Sequence, residues 1–207
     1  MPLNFSVLPL FFSFIFITFP ANSIHFHIPS FRPGDASIIY QGSASLGDGQ
    51  VNFNKNDLYT SQVGRIVYAE KVLIWDSGTG QVTDFTTHYT FIIDTQNRSI
   101  YGHGLAFFLV PFGFEFPLNS VGGFMGLFNT TTMDSSSNQI VHVEFDSYPN
   151  AEWGETTQHV GINNNSIISS AMTYWNASLH SGDTAEVWIS YNSTAKNLSV
   201  LEIPSHL

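Results

Sequence analysis

The stretch Val141 to Ile167, VHVEFDSYPNAEWGETTQHVGINNNSI, sets two carboxylates two residues apart in a β-forming run, with an Asn four positions on and a His nine beyond that. In extended backbone, side chains at i and i+2 share a face about 6.5–7 Å apart, so Glu144 and Asp146 can share a cation between them or across a pair. Oxygen ligands such as Asp146, Asn150 and the carbonyl of Tyr148 suit a hard ion like calcium, and the imidazole of His159 suits manganese or zinc. Two neighbouring ions sharing Asp146 would use all of these groups.

Composition frames that reading. The 207 residues fit one domain with a sizeable core, and the chain is rich in Phe (19) while only 11% is charged. A formal net charge of −10 with 6 Lys and Arg argues against nucleic acid or an anionic membrane surface as partner, because phosphate binding needs a basic patch. Cations and neutral ligands fit better. Cysteine is absent, which excludes a disulfide framework, a thiol nucleophile and a zinc-thiolate site without excluding secretion.

The first residues speak to compartment. An apolar run from Phe5 to Phe19 ends at Pro20 and is followed by Ala21, Asn22 and Ser23, the order of a signal-peptide core and cleavage site over residues 1–23. Such a run falls short of the roughly twenty residues that span a bilayer, and no second run of that length follows, so no transmembrane segment is expected. The region before it lacks Lys and Arg. Secretion gives meaning to the glycosylation sequons at Asn97, Asn129, Asn164, Asn176, Asn192 and Asn197.

Residues 24–207 show no linker, repeat or low-complexity block. Runs of β-formers recur at Ile24 to Ile28, Ser37 to Gln41, Gly64 to Tyr68, Asp84 to Asp94, Leu105 to Val110, Gln139 to Phe145, Gln158 to Ile162 and Thr184 to Tyr191. Turn chemistry separates them, as at Gly47-Asp48-Gly49 and Ser77-Gly78-Thr79-Gly80. Many short strands with Gly-rich turns predict an all-β antiparallel sandwich or jelly roll. In Thr87 to Asp94, Tyr89, Phe91 and Ile93 share one face, which is expected to pack on a second sheet. Trp75 and Trp188 are expected in the core, Trp153 over the metal loops, and His25, His27, His88, His142 and His180 in packing or solvent.

Four separated blocks resemble legume-type (L-type) lectins in order and spacing: Gly64 to Asp76 (GRIVYAEKVLIWD), Gly102 to Pro111 (GHGLAFFLVP), Gly122 to Asn129 (GGFMGLFN) and Val141 to Ile167. The resemblance covers nearly the whole chain after residue 23, and extends to the lectin ectodomains of plant receptor-like kinases. It implies a concanavalin A-like jelly-roll sandwich with a shallow sugar site built from loops beside one manganese and one calcium ion. By that resemblance Glu144, Asp146 and His159 take manganese roles, and Asp146, Tyr148 (through its carbonyl) and Asn150 take calcium roles. Ser169 would reach manganese through water. Asn150, His103 and the backbone N–H of Gly123 would meet the sugar, with Tyr148 or Phe124 stacking on its apolar face. The expected ligand is a mannose- or glucose-type glycan on a free sugar or glycoprotein, and the expected location is extracellular, in the apoplast or cell wall.

Three departures qualify the resemblance. Gly154 stands where an aspartate bridging both ions is expected after Trp153, and Glu155 next door is a candidate substitute; an extended register would turn it to the opposite side. His103 stands where many soluble members carry a sugar-binding Asp; a carboxylate accepts from two hydroxyls with charge assistance, whereas a neutral imidazole accepts from one. The family also continues past the strands resembling Thr184 to Tyr191 and Leu198 to Ile203, so the sandwich is expected to be incomplete at its C-terminus. Either another chain completes it, as in a homo-oligomer, or the product is truncated. The alternative function is a degenerate lectin-fold defence or interaction protein without sugar binding. An enzyme is not expected: Glu144-x-Asp146 resembles the start of a glycosidase motif, but Pro149 occupies the position of its second carboxylate.

Overall fold

The computed structural model describes residues 25–55 and 60–204. The signal-peptide assignment, residues 1–23, lies outside the described residues. In chain order the strands are β1 (Ile38–Gly42), β2 (Ser45–Gly47), β3 (Gln50–Asn52), β4 (Gly64–Tyr68), β5 (Phe85–Ile92), β6 (Gly104–Leu109), β7 (Val141–Asp146), β8 (His159–Asn164), β9 (Ala171–Tyr174), β10 (Thr184–Asn192) and β11 (Asn197–Pro204). Single 3-10 turns occupy Gly122–Phe124 and Ala151–Trp153.

All pairings are antiparallel. One sheet runs β6-β7-β8-β9, another β11-β10-β5, and β1-β4 and β2-β3 form two-stranded ribbons. Strand alternation decides what lies between them. On β7, Val143 and Phe145 point toward the three-stranded sheet and join Val187, Ile189 and Trp175 in one buried cluster, against which Tyr89, Phe91 and Ile93 pack as their shared face requires. The alternate residues His142, Glu144 and Asp146 point the other way, yet all three are buried. Loops cover that side: Leu127, Phe128, Ile140 and Ile167 form a second cluster with Phe108, Phe124 and Trp153 packed on it. The four-stranded sheet is therefore enclosed on both faces of β7, and the loop-covered face carries the polar groups. This is the all-β jelly-roll sandwich expected from the sequence.

Arg65 ties a covering loop down. Buried on β4, its guanidinium donates to Gln41 on β1 and, over 2.7 Å, to the Phe114 carbonyl, and it lies 4.1 Å from the centroid of the Phe116 ring. Delocalised charge over an aromatic face is a favourable way to bury this group.

Several expectations are corrected. Of the run Ile24 to Ile28, residues 25–28 form no strand. Phe26 instead stacks on Tyr68 at 4.5 Å, while its backbone joins no ladder. Gln139 and Ile140 do not open β7, because Gln139 takes a positive φ of 55° that ends extended pairing. Trp75 is 59% exposed, bridged only to Val82 across the Asp76 turn. Trp188 lies on the outer face of β10, since Val187 and Ile189 take the inner one, and stacks on His88 at 4.2 Å. The Gly47-Asp48-Gly49 turn joins β2 to β3 with φ of 52° at Asp48 and 77° at Gly49, a two-residue hairpin of the type Asp-Gly favours.

Candidate functional site

Register brings the polar residues of β7 and β8 together. Asp146 lies directly opposite His159, Glu144 opposite Gly161, and His142 opposite Asn163. A side chain at position 161 would run into the Ser169 hydroxyl and come within 2.8 Å of Glu144 Oε1, so glycine there opens the space these groups fill. The Glu144 carboxylate accepts from Ser169 Oγ (2.8 Å) and Asn163 Nδ2 (3.0 Å) and lies 3.4 Å from His159 Nε2 and 3.7 Å from His142 Nε2. Burial opposes its charge, but the contacts with His142, His159 and Ser169 outweigh it and hold the carboxyl well below the usual range.

Asp146, Glu155 and His159 each place one ligand atom within 4.8 Å of the other two. Glu155 reaches them because it does not follow an extended register. The 3-10 turn Ala151–Trp153 ends at Gly154 in the left-handed conformation (φ 84°), and the chain reverses there. Glu155 Oε2 then accepts the Asn150 N–H at 2.6 Å, and Asp146 Oδ1 accepts the Tyr148 N–H at 2.6 Å. The expectation that the one-residue shift turns Glu155 away is therefore corrected. Burial, with Glu155 and Glu144 adding repulsion, raises the Asp146 carboxyl to about 7 despite the Tyr148 N–H. Burial works against a charged His159, but Glu144 and the Thr157 carbonyl prevail and raise it to about 9. The site thus holds protons that a cation would displace.

The residues assigned to the sugar meet at the adjoining surface. Asn150 is 8% exposed; its buried Oδ1 makes no hydrogen bond of good geometry among the described residues, and its side chain interacts with the His103 ring. A Cβ on Gly123 would lie 2.5 Å from that oxygen and 2.7 Å from the Trp153 ring, so glycine lets the 3-10 turn at Gly122–Phe124 seat on Asn150. The Gly102–His103 peptide bond is cis, and the His103 carbonyl accepts the Ser147 N–H at 2.9 Å. The His103 ring meets Tyr148 edge-on at 4.9 Å, and its buried Nδ1 likewise makes no hydrogen bond of good geometry among the described residues. Burial lowers the His103 pKa, against the Asn150 side chain and the Glu152 charge, which both work to raise it. Phe124 packs against Trp153 at 5.1 Å. Two carboxylates and an imidazole whose ligand atoms lie within 4.8 Å of one another are a donor set that fits manganese, and the amide of Asn150, whose backbone N–H is bound by Glu155, adds an oxygen donor of the kind calcium takes.

Residues 23–207 match the sequence profile of the legume lectin domain. The chain belongs to the legume lectin domain family. The L-type lectin-domain containing receptor kinase IX.2 of Arabidopsis thaliana is 50% identical over 191 residues, which cover 90% of this legume lectin chain and 28% of the kinase. Lectin 9 of Medicago truncatula is 34% identical over 226 residues, covering 97% of this chain and 81% of its own. The structure of lectin UEA-II complexed with galactose matches with a TM-score of 0.77 at 35% identity, over 85% of this chain and 75% of that one. The lectin domain spans less than a third of the length of the two receptor kinases it matches.

Three neighbours of the site were not assigned to it from the sequence, His142 among them having been expected in packing or solvent. Asn163 bridges Glu144 to the Ile167 carbonyl (3.0 Å), and His142 flanks Glu144 from the same strand face. Its place two residues before Glu144 was the available signal. Glu152 accepts from Asn150 Nδ2 at 3.0 Å from the short turn that follows it. Of the sequon residues, Asn97, Asn164, Asn192 and Asn197 are exposed, while Asn129 and Asn176 are half-buried, their amides donating to the Leu118 carbonyl and the Tyr174 hydroxyl. Among the described residues no helix is long and apolar enough to cross a membrane.

Proposed function

We propose that this legume lectin domain binds neutral carbohydrate at the surface formed by His103, Gly123, Tyr148 and Asn150, ordered from beneath by calcium and manganese. The observation that carries the reading is the convergence of one ligand atom each from Asp146, Glu155 and His159, tied to Asn150 where Glu155 accepts its backbone N–H. Bound ions would supply fixed positive charge to Asp146, Asn150 Oδ1 and the Tyr148 carbonyl on the calcium side, and to Glu144, Asp146, Glu155 and His159 on the manganese side. With its oxygen held, Asn150 presents its NH2 to a sugar oxygen, and the Gly123 backbone N–H donates beside it. Ser169 and Asn163 orient Glu144 through hydrogen bonds, while His142, His159 and Ser169 keep it ionised. The activity is binding without chemical conversion.

Mannose- or glucose-type glycans remain the proposed ligand. A galactose-type ligand is a second reading, favoured by the galactose held in the similar UEA-II structure. The chain is proposed to act outside the cell as a glycoprotein carrying sugars at its exposed sequons. A glycan array probed with and without EDTA tests the function. Binding to hexose glycans that chelation abolishes is the expected result, while a folded chain with neither metal content nor glycan signal would instead support an interaction protein on the lectin scaffold.

A further inference from the structure

We infer that Glu152 is the carboxylate that accepts the sugar hydroxyls in this site, taking over the role that His103 leaves open. The inference rests on the sugar-binding reading above. A neutral imidazole offers a hydroxyl at most one acceptor nitrogen, whereas a carboxylate accepts from two. A sugar with two adjacent hydroxyls needs a stronger acceptor beside Asn150.

Glu152 stands there. Its Oε1 accepts from Asn150 Nδ2 at 3.0 Å, so the carboxylate lies at the amide that the sugar must also meet. Its side chain is exposed, whereas Asp146 and Glu144 are enclosed and Glu155 is tied to the Asn150 N–H. Its own backbone N–H and the Asn150 amide donate to it, and it interacts electrostatically with His103 across the site. A carboxylate has about four acceptor positions, so those two contacts leave room for two hydroxyl donors. The 3-10 turn fixes its position: Trp153 N donates to the Asn150 carbonyl at 2.9 Å, closing the turn that carries Glu152 between them.

The same charge selects the ligand. With Glu152 at the surface and a net charge of −10 behind it, the site favours a neutral hexose over a uronic acid.

Calorimetric titration of methyl α-mannoside, methyl α-galactoside and methyl α-glucuronide into the calcium- and manganese-loaded chain and its Glu152→Gln variant tests this. Gln keeps an acceptor for Asn150 and removes only the charge. The expected result is binding of a neutral glycoside by the parent chain, about ten-fold weaker binding by the variant, and an unchanged metal-induced rise in melting temperature. Equal affinity in both chains would overturn the assignment while leaving sugar binding intact. So would loss of the metal-induced rise in the variant, because Glu152 would then act through the ions, and so would preference for the glucuronide. A metal-loaded parent chain that binds none of the glycosides would overturn the sugar-binding reading as well.

Discussion

Glu155 brings a second carboxylate to Asp146 and His159 because the residue before it, Gly154, ends a 3-10 turn with φ at 84°. Replacing Glu155 with Ala removes one of three converging ligand atoms, and manganese affinity by calorimetry should fall by roughly 10–100-fold or more. Gly154→Asp tests the complementary point. A Cβ at Gly154 meets open space, but an L residue there pays about 1 kcal/mol for the left-handed conformation. The expected outcome is slightly lower stability in denaturant and unchanged metal affinity, whereas a large gain would show that Glu155 does not serve. Protons give a third handle. In the metal-free fold Asp146 titrates near 7 against an ordinary 3.8, and His159 near 9 against 6.5. Both are raised, so the stability they contribute is present in full below the lower value of each pair and is lost as pH climbs through the upper one. Melting of the chelated chain should therefore fall between about pH 4 and 9, through Asp146 up to about 7 and through His159 above that, and the rise in melting temperature on adding metal should be larger at pH 8 than at pH 5, since fewer protons remain to be displaced. A metal-induced rise independent of pH would contradict this placement of the ligands.

At the scale of the element, β7 carries both halves of the account. Its inward residues Val143 and Phe145 are core, and its outward residues Glu144 and Asp146 are site. Phe145→Ala should cost about 3–5 kcal/mol in a denaturant titration, because the ring packs edge-on to Phe91 and Trp175 at 4.7 and 5.4 Å. Arg65→Lys tests the loop clamp: an ammonium cannot reproduce the fork over Phe116 and toward Phe114, and a loss of about 1–3 kcal/mol is expected. The same elements show what the sequence could disclose. β5, β7 and β10 alternate apolar and polar residues because each has one face on the core, and that period is legible. β9 is exposed along its whole length, so no face imposes a pattern, and β2 and β3 are too short for one to develop. In the site, Glu144, Asp146 and His159 could be read from spacing because neighbouring strands in one register bring them together. Glu152 and Glu155 could not, since the direction of each is set by the turn from Asn150 to Gly154 rather than by a period. The Trp75 and Trp188 expectations failed for a related reason: residue type favours burial, but position on the turn or on the outer strand face decides it.

Across the whole molecule, a sandwich core on one side of the four-stranded sheet and a loop-built apolar cluster on the other enclose a polar layer that neither could tolerate unpaired. Hydrogen bonds satisfy Glu144, whereas the buried oxygen of Asn150 makes no hydrogen bond of good geometry among the described residues. The convergence of Asp146, Glu155 and His159 in that layer is the physical case for ions that serve a surface ligand rather than for a purely structural polar cluster. Sugar binding here depends on the ions, and one titration examines that dependence directly. The chain is stripped with chelator, and a neutral methyl glycoside is titrated calorimetrically before and after calcium and manganese are restored. The expected result is no binding heat from the stripped, folded chain and saturable binding once the ions are back. Equal sugar affinity in the stripped chain, or a folded chain that takes up neither ion, would contradict it.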